Sequence, residues 1–260
     1  MARIPWQICN PVLIMRAHII FGALLVALAA NTSSAAENDG LPNGNVVAAR
    51  MVAGDAERQT LAAGYHGMRR YVLDNEKMHK HAEIVVRVEC GADGTKHFEL
   101  VSQEGWKGAY KHVVGRMLET EAETSHLESR FKTRISPDNY DFRMVRTALL
   151  DDRMAYVIEI VPKRHENHLI KGQIWVDAQD YAVARIEGEP AENPSFWIHS
   201  VHFVHTYQKS GPLWFPASTE SDTEVRIFGA TTLTINYFDY SPNLSSPETA
   251  SAGRPGGLTP

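Results

Sequence analysis

Apolar and polar residues alternate over most of the chain. Ile84, Val86, Val88 and Cys90 fall on one side of an extended segment, and Glu83, Arg87 and Glu89 fall on the other. A period of two puts one face in a core and leaves the other in water. Similar alternation recurs near residues 66–74, 79–90, 96–103, 139–147, 154–162, 168–177, 181–188, 196–208, 213–224 and 225–240, which predicts about ten strands. Most are joined by short turns such as Asp177-Ala178-Gln179-Asp180, and successive strands joined in this way pair antiparallel.

Two stretches break that period. Residues 46–63 are rich in Ala, Arg, Met, Glu and Gln and contain no proline, which predicts a helix stopped near Gly64. Its apolar stripe is made of small side chains, so the expectation is a helix lying on the surface. Tyr110, Val113, Val114, Met117 and Leu118 follow the i, i+3, i+4, i+7, i+8 spacing that forms one apolar face of a second helix. Two helices and ten antiparallel strands exclude a doubly wound fold. The expected fold class is α+β, mainly β: a curled antiparallel sheet, an incomplete β-barrel of about ten strands, with helices covering the concave side.

The two ends read differently from the middle. An apolar run at residues 19–30, preceded by Arg3 and Arg16 and followed by Ser34-Ala35-Ala36, has the form of a secretory signal peptide over residues 1–36, too short to span a membrane. Met1 or Met15 could be the start of that leader. Residues 37–45 are turn formers and read as a flexible lead-in, residues 46–240 as one domain, and the Pro-, Ser- and Gly-rich residues 241–260 as a disordered tail. Removing 36 of the 260 residues takes away two arginines and no acid, so formal net charge falls from −5 to −7. A mildly acidic chain lacks the basic face that nucleic acid requires. Cys90 is the single cysteine after the leader, so no internal disulfide and no C-x-x-C chemistry is expected.

The segment Gly172-Gln173-Ile174-Trp175-Val176-Asp177, its turn, and the return Ala182-Val183-Ala184-Arg185-Ile186-Glu187-Gly188 carry a family resemblance. Asn139-Tyr140-Asp141-Phe142, Asn193-Pro194-Ser195-Phe196-Trp197-Ile198, Pro212-Leu213-Trp214-Phe215-Pro216 and the closing run from Leu233 to Tyr240 support it. Together they resemble the LolA/LolB/RseB-like exported bacterial proteins, the outer-membrane lipoprotein-sorting-like family, over roughly residues 46–240. The resemblance implies a half-barrel with a helical lid over an apolar cavity that holds acyl chains. It also implies an arginine that locks the lid, for which Arg69 and Arg70 are the candidates. Against that resemblance, neither the lipid-anchor cysteine of the LolB type nor the second domain of the RseB type is expected.

Catalytic signatures are absent: there is no Gly-x-Ser-x-Gly elbow, no phosphate loop and no His-Glu-x-x-His. Twelve histidines raise the question of a metal. On a strand His199 and His202 face opposite ways, and His199 and His205 lie about 20 Å apart at roughly 3.3 Å per residue, so one ion cannot be shared. His79 and His81 share a strand face but lack a third ligand. Glu119, Glu121 and Glu123 read as a solvated charge run. Trp106, Trp175, Phe196, Trp197, Phe203 and Trp214 are either ordinary core or cavity lining.

The expected function is that of a monomeric, periplasmic, carrier-like protein that binds lipid acyl chains or a lipidated protein and has no enzymatic chemistry, cofactor or metal. Candidate cavity and lid residues are Tyr110, Val113, Val114, Met117, Leu118, Trp175, Trp197 and Phe203. An envelope sensor or interaction module that engages a protein partner through the same fold is the alternative. A small metal-dependent hydrolase using His79 and His81 is a third reading.

Overall fold

A computed structural model describes residues 40–125, 131–166, 168–193, 198–226 and 229–244. The leader over residues 1–36, Trp197 and residues 245–260 of the tail lie outside the described residues.

Ten strands form one antiparallel sheet. They are β1 (Ala62–Asn75), β2 (Lys80–Cys90), β3 (Lys96–Gly105), β4 (Tyr140–Leu150), β5 (Arg153–Pro162), β6 (Ile170–Asp177), β7 (Val183–Pro190), β8 (Ile198–Ser210), β9 (Leu213–Val225) and β10 (Gly229–Leu244). Their order across the sheet is β3-β2-β1-β10-β9-β8-β7-β6-β5-β4. Two meanders, β1–β3 and β4–β10, are thus joined where β1 pairs with β10, and β3 and β4 are left as open edges. The chain leaves one edge at β3 and re-enters at the opposite edge at β4, so its connection has to cross a face of the sheet.

That connection carries a π-helical turn, Tyr110–Val114, which runs directly into helix α2, Gly115–Thr124. Helix α1 precedes the sheet at Gly44–Arg58, where the Asn43 side chain accepts a hydrogen bond from the Asn45 amide and caps it. The helix therefore starts two residues before residue 46 and stops well short of Gly64. Ala62 and Ala63 are good helix formers, yet long-range pairing of β1 with β10 and β2 takes them into the sheet. Gly64 makes this possible at φ +125°, because a Cβ there would stand 2.2 Å from the Cys90 carbonyl oxygen. At the other end β10 continues to Leu244, so the first four residues of the expected tail are strand.

Two large cores form on the helix-covered face. One joins Val47, Ala48 and Met51 of α1 to Ile158, Ile160, Ile174, Ile186 and Phe203 of β5–β8. The expectation that α1 lies on the surface is corrected: its small side chains let the helix approach the sheet closely, and Val47, Ala48 and Met51 are almost completely buried. The second core joins Val114, Met117 and Leu118 to Tyr71, Leu73, Ile84, Val86, Leu233 and Ile235. His205 shares the parity of Phe203 on β8, and its ring meets that of Tyr237 edge-on at 5.7 Å. Tyr237 belongs to the second core, so both cores occupy one continuous face.

The β6–β7 hairpin pairs Ile174 with Ile186 and Gly172 with Gly188, as the motif predicts. The two glycines are opposed because a Cβ on either would meet the other strand's backbone within 2.4 Å. Asp177 closes the turn by accepting from the Gln179 and Asp180 amides and pairing with Arg153.

Candidate functional site

Between α2 and the sheet lies a cluster of buried charge. Arg69 of β1 is fully buried and points to the same face as Tyr71 and Leu73, while Arg70 points outward and pairs with Glu83. The Arg69 guanidinium donates to both carboxylate oxygens of Glu121 on α2, at 2.7 and 2.9 Å. Lys96, at the start of β3, reaches the same carboxylate with its ammonium group. Two further Arg69 donors go to the Tyr240 hydroxyl at 3.0 Å and the Tyr71 hydroxyl at 3.3 Å. The rings of Tyr237 and Phe98 lie against the guanidinium, 5.2 and 5.5 Å from its carbon.

Glu121 is the correction to the solvated charge run. Glu119 and Glu123 are exposed, but Glu121 continues the stripe of Val114, Met117 and Leu118 and is turned inward. Burial alone would raise its carboxyl; the Arg69 guanidinium and the Lys96 ammonium more than offset that and hold it down at about 2. The polar seam continues through Tyr237, whose hydroxyl lies 3.1 Å from Thr219 Oγ1, to His205, whose Nδ1 meets the same oxygen at 2.5 Å. Burial, helped by the nearby Arg69 charge, lowers the imidazole to about 3, so His205 is neutral at physiological pH.

Of the candidate residues, Val114, Met117 and Leu118 are buried in the second core, with Tyr110 and Val113 partly buried against it. Phe203 lies in the first core, under α1. Trp175 faces away from both: it packs with Ala155 and Val157 on the opposite side of the sheet, and Arg185 stacks on its ring at 5.1 Å. The structure therefore brings the five helix residues together and places Trp175 apart from them. His79 sits in the β1–β2 turn at φ +49° rather than on a strand, so it does not share a strand face with His81, which pairs with Asp74. Among the described residues no group of three His, Cys, Asp or Glu side chains is arranged to hold a metal.

Two signals in the sequence point to the seam. The parity that buries Tyr71 and Leu73 selects Arg69 over Arg70, and the α2 stripe extended by one step arrives at Glu121.

A model described as a family of unknown function, DUF5686, matches residues 136–241. No curated protein matches the sequence. Similar solved structures include a DUF1329 family protein from Desulfovibrio piger, with 11% identity over 77% of this chain and 92% of that one and a TM-score of 0.42. A LolA superfamily protein from Nitrosomonas europaea shows 10% identity over 79% and 95%, with a TM-score of 0.40. A putative outer membrane lipoprotein-sorting protein domain from Vibrio parahaemolyticus shows 12% identity over 79% and 94%, with a TM-score of 0.40.

Proposed function

We propose that this is an exported binding protein for acyl chains, in which α2 is a cover that the Arg69–Glu121–Lys96 cluster holds over the apolar face of β1, β2 and β10. The ion cluster is the observation that carries the reading. Burying ions costs several kcal/mol each, so a buried pair adds little net stability compared with apolar side chains of the same size. It suits a tether, because its members regain water when the helix lifts, which lowers the cost of opening. Arg69 then fills the lid-locking role that the family resemblance implies.

An acyl chain of about 15 methylenes carries roughly 12 kcal/mol of unfavourable transfer energy in water, at about 0.8 per methylene. That exceeds the cost of lifting α2 with the turn before it, whose buried apolar side chains include Val114, Met117 and Leu118, at about 1.5–3 kcal/mol each. The ligand would take the place of those side chains over Ile84, Val86 and Ile235. A sensor or interaction module is the second reading, favoured by Leu100 and Val101, which are exposed on edge strand β3. An open edge can accept a partner's strand.

Native mass spectrometry of the gently purified protein, followed by titration with a fluorescent fatty acid, tests the first reading. Acyl-bearing adducts and saturable binding are expected. A bare chain that also fails to take up the fatty acid would overturn it and leave the partner-docking reading in its place.

A further inference from the structure

We propose that the flank of α1 holds a separate site for an anionic single-chain amphiphile, in which Arg50, Tyr156 and Tyr181 clamp the head group and the tail lies along Leu41, Val46 and Val47. These residues line an open groove of about 450 Å³. Its size falls within the roughly 300–1,000 Å³ of small-molecule sites. It runs from the residues just before α1, along that helix, to β5 and the β6–β7 turn.

The head-group end consists of hydrogen-bond donors. Arg50 donates to the Tyr181 hydroxyl at 2.5 Å, and its guanidinium sits 5.1 Å over the Tyr181 ring. Tyr156 stacks on Tyr181 at 6.2 Å with an interplanar angle of 27°. Burial first, and then Tyr181, push the Tyr156 phenol up, which keeps it a protonated donor. A guanidinium fork flanked by two hydroxyls matches a carboxylate or phosphate.

Arg50 stands apart from the other arginine of its helix flank. Arg58 is committed to Asp55 and to the carbonyls of Asp180 and Tyr181. Among the described residues no carboxylate pairs with Arg50, so its charge is available to a ligand. Tyr181 is held at φ +51°, in the left-handed region that a bulky side chain ordinarily avoids. Glycine or asparagine would occupy that turn position with less strain, and the tyrosine there presents its ring to Arg50 and Tyr156. The tail end is apolar and open: Val46 is 49% exposed on the first turn of α1.

This site goes beyond the cover reading, since it lies on α1 and requires no movement of α2. Laurate, dodecyl phosphate and dodecyltrimethylammonium, each below its micellar concentration, are titrated calorimetrically into the purified protein. Either anion or both should bind and the cation should not; a preference between the two anions assigns the head-group chemistry. Arg50→Ala should weaken anion binding by about ten- to a hundredfold, the loss of a charge-assisted hydrogen bond. Arg50→Lys should recover part of it, and circular dichroism should be unchanged, because Arg50 is exposed. Equal binding of all three head groups, or an Arg50→Ala variant with undiminished affinity, would overturn the proposal. Val114→Asp with Leu118→Asp separates the two readings: anion binding that still depends on Arg50 in that variant supports the groove whatever becomes of the cover. Binding lost with α2 but indifferent to Arg50 leaves the cover reading standing and removes the groove.

Discussion

Glu121→Gln puts the buried cluster to its most direct test. Glutamine keeps the shape of the side chain but removes the carboxylate that faces Arg69 and Lys96. Both cations are almost fully enclosed, with side chains 0% and 1% exposed, so the loss cannot be made good by solvent without movement. Removing one partner of a buried ion pair costs roughly 3–5 kcal/mol, because the survivor stays buried and unpaired. If α2 is a cover, that cost appears as local opening. At about 1.4 kcal/mol per decade the opening equilibrium should rise by roughly two to three and a half orders of magnitude. Hydrogen exchange reads it out: amides of α2 should exchange faster by about that factor, while those of β6, under α1, keep their protection. The rate of fatty-acid uptake should rise with it. Exchange in α2 that quickens less than about tenfold would mean that the cluster contributes no more than an exposed pair, and the reasoning about its burial would fail. Acceleration of α2 and β6 together would mean one cooperative unit and no cover.

Acid should release the same tether. The Glu121 carboxyl is held near 2, below its ordinary 4.5, so its stabilisation is complete above about pH 4.5 and drains away as pH falls toward 2. Fluorescence of a probe attached to α2 should report release in that window, and a transition near pH 6 would contradict it. Asp55 has the opposite sign: burial, only partly offset by Arg58, raises its carboxyl from 3.8 to about 7, so its contribution is present below about pH 3.8 and is lost as pH rises through 7. Asp55→Asn should therefore flatten the decline in melting temperature between pH 4 and 8, and parallel profiles would rule that out. His205, held down to about 3, should show no ring titration by NMR between pH 5 and 8. Replacing Val114 and Leu118 together with Asp should abolish the part of fatty-acid binding that does not depend on Arg50 and leave the β-sheet circular dichroism largely intact, because the core under α1 shares none of these side chains. Complete unfolding would make the stripe ordinary core.

Much of this architecture is legible in the sequence for a local reason: antiparallel strands with one buried face write their own period of two. All ten strands fall within a few residues of where that period places them. The misplacements are long-range. Ala62 and Ala63 belong to a helix by propensity and to a strand by pairing with β10, which is joined to them only after some 170 residues of chain. Glu121 was hidden by its neighbours, since Glu119 and Glu123 make a charge run whose middle member alone lies on the buried stripe. Trp175 is a cavity candidate only as one of the aromatic set, and Ile174 and Val176 on either side of it face the core under α1 while it faces the other way. In a strand buried on both sides, hydrophobicity no longer marks which face a residue serves.

The seam between the two cores bears on why the domain needs charge in its interior at all. Among the described residues fifteen make up the core beneath α1 and twelve the core beneath α2, and Arg69, Tyr237, Thr219 and His205 form a polar seam where they meet. Leucine or phenylalanine at those positions would fuse the cores and tie the fate of α2 to that of the whole sheet. A polar seam instead gives each half a boundary, since a network of this kind is stable only with its partners in place and loses much of its value when one of them leaves. Replacing Arg69, Lys96 and Glu121 together with Met tests that division. By the precedent of buried ion clusters exchanged for apolar residues, stability should hold or rise. The protected exchange of α2 should then become indistinguishable from that of β1 and β2, and fatty-acid uptake should slow. A triple variant that is stable and still takes up ligand at the original rate would show that the seam sets neither the boundary nor the opening.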